Sequence, residues 1–214
     1  MKYNLFDAPS AGASDREPMV EGAVLLRGKA LAFEHDLFSA LTTITERAPL
    51  RHMITPGGFT MSVAKTNCGR AGWVTHRAGY RYEAFDPENG RQWPDMPTAF
   101  LRLAREAASD AGYPDFIPDA NRYVPGARLT LHQDKNERDF DHPIVSVSLG
   151  LPAVFRFGGL KRSAPVAKYT LKHGDVTVWG GASRLRYHGV DILKDGEHPV
   201  TGSVRINLTL RRAL

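Results

Sequence analysis

Ile144-Val145-Ser146-Val147-Ser148-Leu149-Gly150-Leu151-Pro152-Ala153-Val154-Phe155-Arg156-Phe157-Gly158 decides the fold class. Two β-rich runs, Ile144–Gly150 and Ala153–Gly158, are split by glycine and proline within three residues. β-Branched and aromatic residues suit a pleated, packed surface, and the breakers end each run before a helix could form. Working outward, runs of the same kind recur at Arg128–Gln133, Ala167–Lys172, Asp175–Trp179 and Ser203–Leu210. Pro125-Gly126, Pro143, Gly158-Gly159, Gly174 and Gly180-Gly181 punctuate them. Many short strands at such spacing predict an antiparallel sandwich, jelly roll or barrel.

The first half reads differently. Residues 1–20, rich in Pro, Ser, Gly and Asp, read as a flexible tail. Ala23–Arg27 is a short strand. Leu31–Ala48 carries Leu31, Phe33, Leu37, Phe38, Leu41 and Ile44 at helical spacing and must stop before Pro49. Residues 55–96 alternate poorly and break often, which predicts short strands and loops rather than a core. Pro97–Ala111 is a second helix, with Phe100, Leu101, Ala104, Ala107 and Ala108 on one face and Gly112 as its stop. The expected division is therefore a tail over 1–20, an extension over 21–96, and a helix plus β core over 97–214.

The 214 residues carry 28 Lys and Arg against 23 Asp and Glu, a net charge of +5. That balance hints at a polyanionic partner and no more. One cysteine, Cys68, rules out an intrachain disulfide framework. No run approaches the roughly 20 apolar residues that span a bilayer, and no secretion signal is visible at the N-terminus. A cytoplasmic protein with no membrane partner is expected.

His132-Gln133-Asp134 carries the first chemistry. In a strand, residues i and i+2 share a face, so His132 and Asp134 would project together. His188, beside Gly189 at the end of a β-rich run, is the best third ligand. Two His and a carboxylate make the facial triad of non-haem Fe(II) oxygenases, which leaves positions open for O2 and a chelating co-substrate. With eight His in the chain, spacing alone favours an ordinary surface pair or a satisfied core histidine. The run from Ser203 to Arg211 has period two: Arg205, Asn207, Thr209 and Arg211 share one face. Two arginines and an asparagine suit a dicarboxylate; a solvated basic face is the plainer account of that strand taken alone. Asn121 and Tyr123 alternate onto one face in the same way.

Taken in order, Asn-Arg-Tyr (121–123), His-x-Asp, the distal His and Arg-x-Asn-x-x-x-Arg resemble the AlkB family of Fe(II)/2-oxoglutarate-dependent nucleic-acid dealkylases. The likeness extends through Thr55-Pro56-Gly57-Gly58, Thr66-Asn67-Cys68-Gly69, Trp73, Tyr80, Gly112-Tyr113-Pro114-Asp115-Phe116 and Phe157-Gly158-Gly159-Leu160-Lys161-Arg162. It covers nearly all of the chain from about residue 20 onward. It implies a mainly β fold with flanking helices: a double-stranded β-helix, or jelly roll, core under an N-terminal nucleotide-recognition lid over 21–96. It implies iron on His132, Asp134 and His188. It puts 2-oxoglutarate on Asn121, Tyr123, Arg205, Asn207 and Arg211, with Arg205 at the distal carboxylate. Trp73, Tyr80, Asn136 and Arg162 become substrate contacts, with Tyr82 a weaker candidate of the same kind. Lys65, Arg70, Arg77, Arg81, Lys135, Lys161 and Arg162 together suit a phosphate-facing surface, although such a scatter of charge is usually a solvated face. The implied reaction consumes O2 and 2-oxoglutarate, hydroxylates an N-alkyl carbon of a lesion such as 1-methyladenine or 3-methylcytosine, and releases formaldehyde, succinate and CO2. The partner is then alkylated DNA or RNA with its base flipped or single-stranded, since a stacked base cannot reach the metal. A monomer is expected.

Two departures stand out. Asn136 occupies a position where bacterial members usually have Asp, which predicts a softened preference for cationic lesions. The segment Pro118-Asp119-Ala120-Asn121 lacks a few apolar residues, which predicts a shorter strand entering the co-substrate site. Two other readings keep the fold: a 2-oxoglutarate dioxygenase of a protein or small molecule, and a catalytically silent nucleic-acid-binding module.

Overall fold

The computed structural model describes residues 15–77, 79–125 and 129–214, and within Ala120–Pro125 the backbone only. In chain order the elements are β1 (Arg16–Val20), β2 (Ala23–Leu26), a 3-10 turn (Leu31–Phe33), α1 (Glu34–Arg47), β3 (Arg51–Ile54), β4 (Thr60–Gly69), β5 (Gly72–His76), β6 (Gly79–Glu83) and α2 (Thr98–Asp110). There follow β7 (Ala120–Pro125), β8 (Leu129–His132), β9 (Ile144–Gly150), β10 (Ala153–Phe157), β11 (Ala167–Leu171), β12 (Val176–Trp179), β13 (His188–Val190) and β14 (Arg205–Arg211).

Eight strands form one antiparallel sheet in the order β1-β2-β12-β9-β14-β7-β4-β3, and four form a second, β11-β10-β13-β8. β5 and β6 make a separate hairpin. The two larger sheets share an apolar layer of Leu25, Ile144, Phe155, Phe157, Leu171 and Trp179. This is the expected jelly-roll class.

The two faces of the large sheet divide its labour. Val145, Val147 and Leu149 of β9, Val176 and Val178 of β12, and Ile206, Leu208 and Leu210 of β14 pack with α1 and α2. The intervening residues, Ser146 and Ser148 on β9 and Arg205, Asn207, Thr209 and Arg211 on β14, face the other way by the pleat, yet all are buried. The basic face of β14 is therefore an interior surface, not a solvated one.

Both helices form where periodicity placed them. α1 buries Leu37, Leu41 and Ile44, with Glu34 and Asp36 in its first turn and Arg47 in its last, as the helix dipole favours. α2 buries Phe100, Leu103, Ala104, Ala107 and Ala108; Leu103 takes the core place expected of Leu101. It ends at Gly112, whose φ of 94° is the left-handed stop.

Three expectations change. The tail boundary at residue 20 is too late, because Arg16–Val20 is a strand paired with β2; residues 1–14 lie outside the described residues. The region 55–96 contributes a ten-residue strand, β4, to the large sheet, where Thr66–Gly69 pair with β7. β2 likewise pairs with β12, so the sheet crosses the boundary expected at residues 96–97. Cross-strand pairing, which no local window contains, overrides the local reading. Cys68 accordingly lies in the core between sheet and helices rather than in a lid. The shortened segment before Asn121 still yields a strand, paired with β14 from Ala120 opposite Arg211 to Pro125 opposite Ile206.

Candidate metal centre

His132 ends β8, and His188 begins β13 directly opposite it. Gly189 permits this closeness, since a Cβ there would meet the Leu129 carbonyl oxygen at 2.6 Å. The two imidazole centroids lie 4.5 Å apart. Asp134 is beyond the end of β8, so a loop rather than the strand pleat turns its carboxylate toward both rings. Oδ1 lies 3.7 Å from His132 Nε2 and Oδ2 3.6 Å from His188 Nε2. These three residues offer ligand atoms all within 4.8 Å of one another.

The backing of the triad fits a metal. His132 Nδ1 lies 2.8 Å from the Thr130 carbonyl oxygen, and His188 Nδ1 3.0 Å from that of Arg186. A carbonyl only accepts, so each Nδ1 carries the hydrogen, which leaves each Nε2, facing Asp134, as the atom that would bind a divalent cation. Burial alone would raise the Asp134 carboxyl, but Arg211, with His188 and His132, outweighs it and holds the group well below the usual range. A carboxylate with two imidazoles presenting Nε2 is a donor set suited to Fe(II).

Arg205 and Asn207 line the same cavity, with Ser146, Phe155, Trp179 and Thr209. Asn207 donates to Ser146 Oγ at 2.8 Å and to the Val147 carbonyl at 3.0 Å, and accepts from the Thr209 hydroxyl at 3.0 Å. Arg205, 4% exposed, donates to Ser148 Oγ at 2.9 Å. Among the described residues its Nε is buried without a hydrogen-bond partner, and no carboxylate pairs with it. Burial pushes its pKa down to about 10. A buried cation without a counter-charge is a site for an anionic ligand, and 2-oxoglutarate fits it. Arg211 differs: its Nη2 lies 2.8 Å from Asp134 Oδ2, an ion pair not aligned as a hydrogen bond, and its Nη1 pairs with Glu137. A groove of about 1040 Å³, lined by Leu131, Val154, Arg162, Ile192 and Lys194 among others, contains none of the triad.

On the hairpin, Trp73 is 7% exposed and stacks on Tyr80, with centroids 4.9 Å apart and planes at 15°. Lys65 Nζ sits 4.3 Å from the Trp73 ring. Lys65 is only 1% exposed, so it leaves the expected phosphate-facing surface; Arg70, Arg77, Arg81, Lys135, Lys161 and Arg162 remain exposed. Arg81 is paired with Glu83. Asn136 Nδ2 reaches the Tyr80 carbonyl at 3.5 Å, which joins that position to the aromatic pair. The Tyr82 hydroxyl turns to Glu137 at 2.9 Å. The Arg162 guanidinium lies 5.9 Å from the Tyr187 ring. Asn121 and Tyr123 fall on β7, opposite Leu210 and Leu208 of β14; their side chains lie outside the described residues.

Sequence reading put Thr209 on the polar face of β14 without giving it a role, and passed over Ser146 and Ser148, which stand in no motif. It also passed over Glu137 and Arg184, which stand in no motif.

Comparison with known proteins agrees with this geometry. The model of the 2OG-Fe(II) oxygenase superfamily matches residues 27–211. The chain is 56% identical over 201 residues to the alpha-ketoglutarate-dependent dioxygenase AlkB of Escherichia coli (strain K12), covering 92% of this chain and 93% of that protein. It is 44% identical to the AlkB homolog of Caulobacter vibrioides, covering 86% and 83% of the two chains. The solved structure of OsALKBH1 superposes with a TM-score of 0.79 at 25% identity, covering 92% of this chain and all of that one.

Proposed function

The chain belongs to the AlkB family of 2OG-Fe(II) oxygenases, and on that premise we propose how its residues share the oxidative dealkylation of nucleic-acid bases. The protein is an Fe(II)- and 2-oxoglutarate-dependent dioxygenase that acts on alkylated nucleic acid. When bound, iron supplies the O2-dependent chemistry in which 2-oxoglutarate becomes succinate and CO2 and the N-alkyl carbon is oxidised, to leave as formaldehyde.

His132, Asp134 and His188 hold the metal. Arg205 takes the distal carboxylate of 2-oxoglutarate, Asn207 borders it, and Arg211 stands at the oxo-acid end beside Asp134. Asn121 and Tyr123 complete the co-substrate set. The Phe155 and Trp179 rings, 6.2 and 5.0 Å from His188, exclude water from the reacting side.

The hairpin of β5 and β6 is the nucleotide-recognition lid. It receives a flipped or single-stranded base against Trp73 and Tyr80, with Tyr82 behind them. Asn136 meets the exocyclic edge of the base without the charge of a carboxylate, and Arg162 meets the nucleic acid beside it. The protein works as a monomer in the cytoplasm, where a reducing medium keeps iron ferrous.

The observation that carries this reading is Arg205, a buried cation without a counter-charge among the described residues, in one cavity with the two-His, one-carboxylate triad. The test is formaldehyde release from an oligonucleotide containing 1-methyladenine or 3-methylcytosine, with Fe(II) and 2-oxoglutarate. Release that depends on all three components is expected. Binding without release would point to a silent module, and 2-oxoglutarate turnover indifferent to the oligonucleotide to another substrate class.

A further inference from the structure

Glu137 has no part in holding the metal, yet it is a buried charge, at 5% exposure. It lies three residues past Asp134, where three parts of the molecule meet. From the hairpin, the Tyr82 hydroxyl donates to Oε1 at 2.9 Å. From β14, Arg211 Nη1 pairs with the same oxygen. From the loop after β12, Arg184 Nη2 lies 3.6 Å from Oε2. Arg184 also donates to the Asp134 carbonyl at 3.0 Å and to the His142 carbonyl at 3.1 Å. Arg211 Nη2, at 2.8 Å from Asp134 Oδ2, carries the chain of charges to the triad.

Resting on the dealkylase reading above, we propose that Glu137 is a positioning residue that couples the base-recognition hairpin to Arg211, so that alkylated nucleic acid and 2-oxoglutarate strengthen each other's binding. Tyr82 and Arg211 share one oxygen of one buried carboxylate. With the hairpin docked, the hydroxyl satisfies part of that oxygen, and the guanidinium is left aimed at Asp134 and the oxo-acid end of the co-substrate. With the hairpin away, the carboxylate has Arg211 and the more distant Arg184 to satisfy it, and it draws the guanidinium toward itself. A ligand that stabilises the docked hairpin therefore favours the arrangement that grips 2-oxoglutarate. Linkage requires 2-oxoglutarate to favour the docked hairpin by the same factor.

The test measures the 2-oxoglutarate dissociation constant of the Mn(II)-loaded protein, with and without an oligonucleotide containing 3-methylcytosine, in wild type, Tyr82→Phe, Glu137→Gln and the double variant. In wild type the oligonucleotide is expected to tighten 2-oxoglutarate about fivefold or more, the lower range of allosteric couplings. Tyr82→Phe, which removes a single hydroxyl, should bring that factor to within about twofold of unity, and Glu137→Gln should add no further loss to it. In the metal-free protein, amide hydrogen exchange across Gly79–Glu83 should quicken in Tyr82→Phe, which a role confined to iron would not produce. A wild-type factor near one, or a Tyr82→Phe factor equal to wild type, overturns the coupling. Should Glu137→Gln fail to fold, Tyr82→Phe carries the test alone. Wild-type formaldehyde release from the same oligonucleotide separates the two claims: release without coupling sinks this inference only, and no release sinks the function on which it rests.

Discussion

Replacing Arg205 by Met should make the ligand-free protein more stable and abolish its response to 2-oxoglutarate. Methionine keeps much of the apolar stem and discards the charge. Burial lowers the Arg205 pKa from its ordinary value to about 10. The guanidinium is protonated in both folded and unfolded chains at neutral pH, so a folded-state value below the unfolded one means that the charge opposes folding. That penalty is present throughout the range below about pH 10 and is relieved only as pH rises through it. At about 1.36 kcal/mol per pKa unit it amounts to roughly 3 kcal/mol. Losing the hydrogen bond to Ser148 returns about 1 kcal/mol. The net gain of about 2 kcal/mol corresponds to a rise in Tm of about 4–8 °C for a chain of this size. Binding of 2-oxoglutarate should meanwhile weaken by about 2–5 kcal/mol, the usual cost of truncating one partner of a buried charge pair, or at least about 30-fold. The assay is thermal unfolding of the Mn(II)-loaded protein with and without 2-oxoglutarate, where bound ligand raises Tm by mass action. A variant less stable than wild type without ligand, or one that keeps the wild-type shift with ligand, would refute the claim that Arg205 awaits an anion.

Other substitutions probe the remaining parts. His132→Ala removes one of three ligands and should abolish 2-oxoglutarate decarboxylation, with metal affinity down by about 100-fold or more by equilibrium titration; near-normal turnover would exclude the triad. Trp73→Ala should cost about 1–3 kcal/mol of base stacking, read as a rise in KM for a methylated oligonucleotide of about fivefold or more, while the KM for 2-oxoglutarate stays within about twofold. Asn136→Asp adds a carboxylate beside Tyr80 and should shift the turnover ratio of cationic to neutral lesions toward the cationic by about fivefold, the effect of about 1 kcal/mol from a partly exposed charge pair; an unchanged ratio would remove Asn136 from lesion selection. Phe100→Ala empties a side chain that is wholly buried between α2 and the large sheet and should destabilise the fold by about 3–5 kcal/mol in urea titration.

Residue order along the chain was enough for the class of fold, because short β-branched runs between glycines and prolines permit little else. It was enough for the two helices, whose apolar spacing is a local property. It also put His132, Asp134 and His188 on one short list and Arg205, Asn207 and Arg211 on another, because a metal and a dicarboxylate each demand particular side chains. Tertiary structure decided that His132, Asp134 and His188 share one cavity with Arg205 and Asn207, and that Arg211 pairs with Asp134 beside it. The pairing of His188 with His132 and the burial of the polar face of β14 are long-range facts, absent from any window of sequence. The same holds for β2 and β4, which read as parts of a separate front half and became strands of the large sheet through partners tens to more than a hundred residues away. Glu137 shows the limit most plainly. A glutamate in a polar loop carries no local mark of burial, and only the meeting of β6, β14 and the loop after β12 removes its water and gives it Tyr82 and Arg211 instead.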